Sequence, residues 1–87
     1  SLLHRALAEA VRYEDALFPM APTYLLLGHA GTHTGDLAGA VRHFSEAATR
    51  FDRAGEPDDA ADARLQLADL LVRTGRQADA VAVLESV

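Results

Sequence analysis

The sequence predicts an all-α domain of about five helices folded into antiparallel hairpins. Three observations carry this expectation. The 87 residues are 49% hydrophobic but only 6% aromatic. Much of that apolar content is alanine, the strongest helix former and small enough to let helix backbones approach closely. Apolar residues also recur at three- and four-residue spacing along most of the chain. Glycine and proline, finally, fall largely between the periodic stretches, where they punctuate helices. The length allows one domain or a piece of a longer helical array. A chain this short buries only about 60–65% of its unfolded surface, so its core has to be economical.

The first periodic segment runs from Leu2 to Leu17, with Leu3, Leu7, Ala10 and Tyr13 on one stripe. Phe18-Pro19-Met20-Ala21-Pro22 ends it, because two prolines interrupt any continuous helix. Pro22 suits the first turn of a second helix, where its missing N–H would be unpaired in any case. That helix carries Tyr24, Leu27, Ala30 and Gly31 and ends near Thr34-Gly35. Gly35-Asp36 reads as a tight turn, with the aspartate expected in the first turn of the next helix. The third segment, Leu37 to Arg53, places Leu37, Ala40, Val41, Phe44, Ala47, Ala48 and Phe51 on one apolar stripe. Ala54-Gly55-Glu56-Pro57 breaks it. Pro57 with Asp58 and Asp59 then starts a fourth helix that reaches Thr74 and is closed by Gly75. The fifth, from Arg76, is still running at Val87.

Charge narrows the function classes. The net charge is −5 and the pI about 5.1, and all eight basic residues are arginine. This balance opposes non-specific nucleic-acid binding, which needs clustered positive charge. Arginine without lysine, beside abundant alanine, aspartate and glycine, suggests a GC-rich bacterial gene. Cysteine is absent, which excludes disulfides and thiolate metal sites. No apolar run approaches the roughly 18 residues a membrane span needs, and no signal-peptide pattern opens the chain. A cytoplasmic protein is the expectation.

Thr34-Gly35 and Thr74-Gly75 are forty residues apart. A shift of forty also aligns Leu27 with Leu67, Ala40 with Ala80, Val41 with Val81, Phe44 with Leu84 and Ala47 with Val87. Matches in register across two helices indicate a repeat. The first unit supplies Tyr24, Leu27-Gly28, the Gly35 turn, Ala40, Phe44 and Ala47; the second keeps Leu67, Ala68, Gly75, Ala80 and Leu84. On these residues the chain resembles the tetratricopeptide repeat (TPR), in a long-period form of about forty residues like that of kinesin-light-chain-like arrays and bacterial regulators. The departures are Gly31 at a usually bulky aromatic position, Arg64 in place of the leading aromatic, and no closing proline. The resemblance implies a single TPR-like domain over 1–87, its hairpins stacked as a short right-handed α-solenoid. Residues 1–20 would be the second helix of a preceding partial repeat, 21–56 one repeat and 57–87 another. Both ends read as cut, since the chain begins mid-pattern at Ser1-Leu2-Leu3 and stops within a helix.

Repeat modules work through an extended concave surface, and the resemblance implies that the first helix of each pair lines it. The groove-facing candidates are then Leu25, His29, Thr32 and His33 in the first unit. Asp62, Leu65, Gln66, Asp69 and Arg73 follow in the second. This mixed surface suits a polar or basic peptide helix. It lacks the lysine- and asparagine-rich set with which some relatives grip a C-terminal carboxylate. Solvation alone accounts for many exposed polar residues, and Asp69 with Arg73, four apart, makes an ordinary intrahelical pair. His29 and His33 are also four apart, so both imidazoles could reach one metal, with Asp69 or Asp36 as a third ligand. Two histidines without a fixed third ligand make a weak site, and no metal or other cofactor is expected. His4 and His43 read as isolated surface residues.

Catalysis finds no foothold. Ser1, Ser45 and Ser86 lack an acid–histidine arrangement, and no nucleophile elbow, Walker loop or dinucleotide fingerprint appears. The expected function is therefore a non-enzymatic protein- or peptide-binding module of a larger bacterial regulatory or scaffold protein, its partner unspecified. The alternative is a structural segment that forms a homodimer through an open helix end exposing Ala80, Val81, Val83, Leu84 and Val87.

Overall fold

The structure, a computed structural model, describes residues 1–6, 8 and 20–86. Residues 2–6 are helical, and four complete helices follow. They are α1 (Ala21–Thr34), α2 (Leu37–Arg53), α3 (Pro57–Arg73) and α4 (Gln77–Glu85). The expected stop at Phe18-Pro19, most of the expected first helix, and Val87 lie outside the described residues.

The helix ends follow from local chemistry. Asp36 is the N-cap of α2, not a first-turn residue as expected: its Oδ1 accepts the Gly39 N–H at 3.0 Å. Pro57 opens α3, with Asp58 and Asp59 in the first turn beside the helix's positive end. Thr74 caps α3 and Arg76 precedes α4, whose first turn Arg76 joins through a 2.9 Å bond to Asp79. Gly35, Gly55 and Gly75 all have left-handed φ, of 87°, 72° and 79°. Gly55 thus halves the forty-residue spacing, so a left-handed glycine recurs every twenty residues. The last two turns match bond for bond: Glu56 N–H donates to Phe51 O at 2.9 Å and Arg76 N–H to Leu71 O at 2.7 Å. Thr34 and Thr74 also match, each hydroxyl donating four residues back, to Ala30 O at 3.0 Å and Leu70 O at 2.9 Å.

Each helix packs on the next, which makes α1–α2 and α3–α4 consecutive hairpins. Phe44, 1% exposed, centres one core cluster with Ala40 of α2, Leu67 and Leu71 of α3, and Ala80 of α4. Phe51 centres the other, among Ala47, Ala48, Ala60 and Ala63, with Ala21 from α1. Leu25 packs against both. The Phe44 ring lies so close to α1 that a Cβ at position 28 would sit 2.8 Å from its atoms. Only glycine fits there. Gly31 makes a second close approach: a Cβ there would be 3.1 Å from the Ala40 Cβ. Its departure from the usual bulky residue is thereby explained, because α1 and α2 are already in contact at that point. Arg64, standing for the repeat's leading aromatic, forms a two-pronged ion pair with Asp52 and ties α3 to the last turn of α2. The hydrogen bonds from Arg64 hold the Asp52 carboxyl below its usual range.

Neither Ala80 nor Val83 belongs to an open face: Ala80 is buried at 2% exposure, its small side chain letting α4 approach α3, and Val83 packs against the same core cluster. Val81 and Leu84 keep the register of Val41 and Phe44 yet are 53% and 45% exposed. Phe44 is covered by α3, whereas no described helix lies over the outer side of α4.

Removing the Phe44 ring leaves a cavity at the junction of three helices, and Phe→Ala changes of this type cost about 3–5 kcal/mol. Against a total of about 5–15 kcal/mol for a small domain, Phe44→Ala is expected to lower the denaturation midpoint sharply. Gly28→Val is expected to do the same by overpacking. Chemical denaturation followed by circular dichroism measures both; wild-type midpoints would contradict the packing assignment.

Candidate protein-binding face

The inward stripes of α1 and α3 are committed to the core, which leaves their opposite sides as the faces available to a partner. On α1 the outward residues include Leu26, His29 and His33. His29 meets the Phe44 ring edge to face, 5.1 Å between centroids at 86°, so a core aromatic orients an exposed imidazole. Thr32 is half-buried and its hydroxyl donates to Gly28 O at 3.0 Å, which directs its polar group into its own helix. His29, Thr32 and His33 line one cleft of about 650 Å³ with Leu26, Ala30 and Leu3 of the N-terminal segment. Leu25 is half-buried between the two core clusters and is not among that cleft's lining residues.

On α3, Asp62, Leu65, Asp69 and Arg73 are exposed and Gln66 is half-buried. Asp69 and Arg73 form the ordinary ion pair that their spacing allows, at 3.0 Å with both side chains more than half exposed. Such a pair contributes a few tenths of a kcal/mol at most, so it constrains its two side chains only weakly. The candidates therefore form two separate sets: among the described residues no hydrogen bond or ion pair connects those of α1 with those of α3. No group of three His, Cys, Asp or Glu side chains converges on a metal-sized site among the described residues. His29 and His33 share their cleft without a third ligand from Asp69 or Asp36.

A second constellation escaped the sequence reading. His4 and His43 are not isolated surface residues: both are half-buried and their ring centroids lie 5.9 Å apart. The Tyr24 ring sits 6.5 Å beyond His43, and the Arg50 guanidinium stacks 4.6 Å above Tyr24 while bonding Glu46 at 2.8 Å. His43, Glu46 and Arg50 occupy one side of α2, and that spacing is the signal the sequence offered. The contact with His4 had no local signal, because it joins residues 39 positions apart. Burial pushes the His43 pKa down, with His4 and Arg42 adding to the effect and Asp36 opposing it. Near this strip, the start of α1 and the end of α2 enclose a recess of about 450 Å³ walled by Pro22, Arg50 and Glu56 among others.

No described helix is long and apolar enough to cross a membrane. Neither the curated proteins nor the solved structures yield a match to the chain. The sequence model of the family described as Tetratricopeptide repeat does match, over residues 19–87. That span takes in all four complete helices and the three glycine turns between them. The chain therefore belongs to the tetratricopeptide repeat family, whose helical repeats are generally non-catalytic protein–protein interaction modules.

Proposed function

We propose that this chain is a non-enzymatic protein- or peptide-binding module of a larger bacterial regulatory or scaffold protein, working in the cytoplasm. In this reading residues 21–56 and 57–87 are the two repeat units, and the partner lies along the outward faces of their first helices. The observation that carries it is the side-chain character of those faces. His29 and His33 beside Leu26 on α1, with Asp62, Leu65, Asp69 and Arg73 on α3, offer apolar contacts flanked by polar groups, of which Asp62 and Asp69 are acidic. A polar or basic peptide helix fits that combination. Leu25, Thr32 and Gln66 belong to the same proposed groove, though their half-burial assigns them more to shaping it than to reaching a partner. The bacterial attribution rests on the arginine-rich, lysine-free composition.

The test is affinity for a partner captured from the parent organism's lysate, measured with the wild type and with His29→Ala, Asp69→Ala and Arg73→Ala combined. Loss of at least about tenfold, or 1.4 kcal/mol, is expected. Unchanged affinity would remove the groove from consideration.

A second reading is self-assembly through α4. Its support is the outer side of that helix, where Val81 and Leu84 are exposed, while Val83 packs against the core. Contiguous apolar exposure of this kind marks interaction surfaces. Sedimentation equilibrium over a concentration series decides it. A dimer that persists at low micromolar concentration and is lost in Leu84→Arg supports assembly, and a monomer throughout excludes it.

A further inference from the structure

We propose that the His4–His43 contact is a pH-sensitive latch that holds the N-terminal helical segment against α2 near neutral pH and releases it on mild acidification. His4 is the only half-buried residue of the segment 2–6; Leu2 and Leu3 beside it are largely exposed. Among the described residues of the segment Ala8 is also half-buried, and the ring contact with α2 is made by the His4 imidazole, which meets the His43 ring at 5.9 Å. The Nδ1 atoms of both rings are closed to solvent and have no hydrogen-bond partner. A neutral imidazole tolerates this, because one of its nitrogens carries no proton. A protonated imidazole has an N–H on both nitrogens and a positive charge, and needs acceptors for both. Among the described residues no acceptor meets either Nδ1 while the rings are in contact, so the charged form is favoured once they separate.

Of the surrounding charges, His4 and Arg42 act in the same direction and Asp36 opposes them. Arg42 neighbours His43 on α2, and Arg50 lies beyond the Tyr24 ring that α1 contributes. Glu46 is engaged by Arg50, and the Asp36 carboxylate is engaged by the Gly39 N–H, which limits what either offers a new cation. His43 accordingly has its pKa lowered from 6.5 in the closed state, by burial first and then by His4 and Arg42. The sign follows by linkage. The open state takes up the proton at the higher, ordinary value, so closure is favoured above about pH 6.5 and lost as pH falls below it. Opening has a consequence for the cleft of α1, since Leu3 forms part of the wall that faces His29, Thr32 and His33. The latch thus couples acidity to the shape of a surface next to it.

The chain contains no cysteine, so spin labels on Leu2→Cys and Ser45→Cys can report the distance from segment to α2 by pulsed electron paramagnetic resonance. From about pH 7.5 to about pH 5, the expected result is a narrow short distance that becomes long and broad. Its midpoint should track the His43 ring resonance in a parallel NMR titration. In the His4→Gln, His43→Gln background the distribution should not change with pH. Three results would overturn the latch: one distribution at both pH values, opening that persists in the double glutamine variant, or opening that coincides with loss of helical circular dichroism.

Discussion

The Phe44 ring pressed against the backbone of α1 at Gly28 is the contact on which the rest of the structure depends. With no β-carbon in the way, α1 and α2 close to a distance that alanines alone can then maintain, and Gly31 opposite Ala40 repeats the arrangement one turn later. From the other side α3 covers the same ring with Leu67 and Leu71, so one phenylalanine joins the first hairpin to the second. The remaining interior is largely alanine, grouped around Phe51. A core of this kind has few large side chains to lose, and each of them contributes a correspondingly large share of the stability.

This packing also decides what the surface offers. Because the side of α1 that carries Gly28 and Gly31 is occupied by α2, His29 and His33 are left outward, and His29 is oriented by the edge of the Phe44 ring. Likewise, α3 spends Ala60, Ala63, Leu67 and Leu71 on the core, which leaves Asp62, Leu65, Asp69 and Arg73 on its other side. Core and candidate face are thus two sides of one periodicity. The ladder from His4 through His43 and Tyr24 to Arg50 lies at a third position, where α1, α2 and the N-terminal segment meet.

Most of the fold was legible in the sequence because its signals are local. Gly35 and Gly75 marked turns, Pro57 marked a helix start, and the stripe from Leu37 to Phe51 marked the buried side of α2. The finer errors have physical causes. Asp36 looked like a first-turn acid because charge near a helix start and a side-chain cap are indistinguishable without the backbone. Ala80 looked exposed because periodicity places a residue on a helix side without saying which neighbour covers it. His4 and His43 looked unrelated because a contact between residues so far apart has no periodic trace. The candidate groove residues on α1 and α3 came from the family resemblance, which did not separate the exposed His29, His33, Asp62, Leu65, Asp69 and Arg73 from the half-buried Leu25, Thr32 and Gln66.

In the proposed function a partner engages the outward faces of α1 and α3. Chemical-shift mapping on the isotopically labelled chain, titrated with a captured partner, addresses it most directly. The largest shifts are expected on His29, His33, Asp62, Leu65, Asp69 and Arg73. Shifts concentrated instead on Val81, Val83 and Leu84 of α4, with those two faces unchanged, would contradict it.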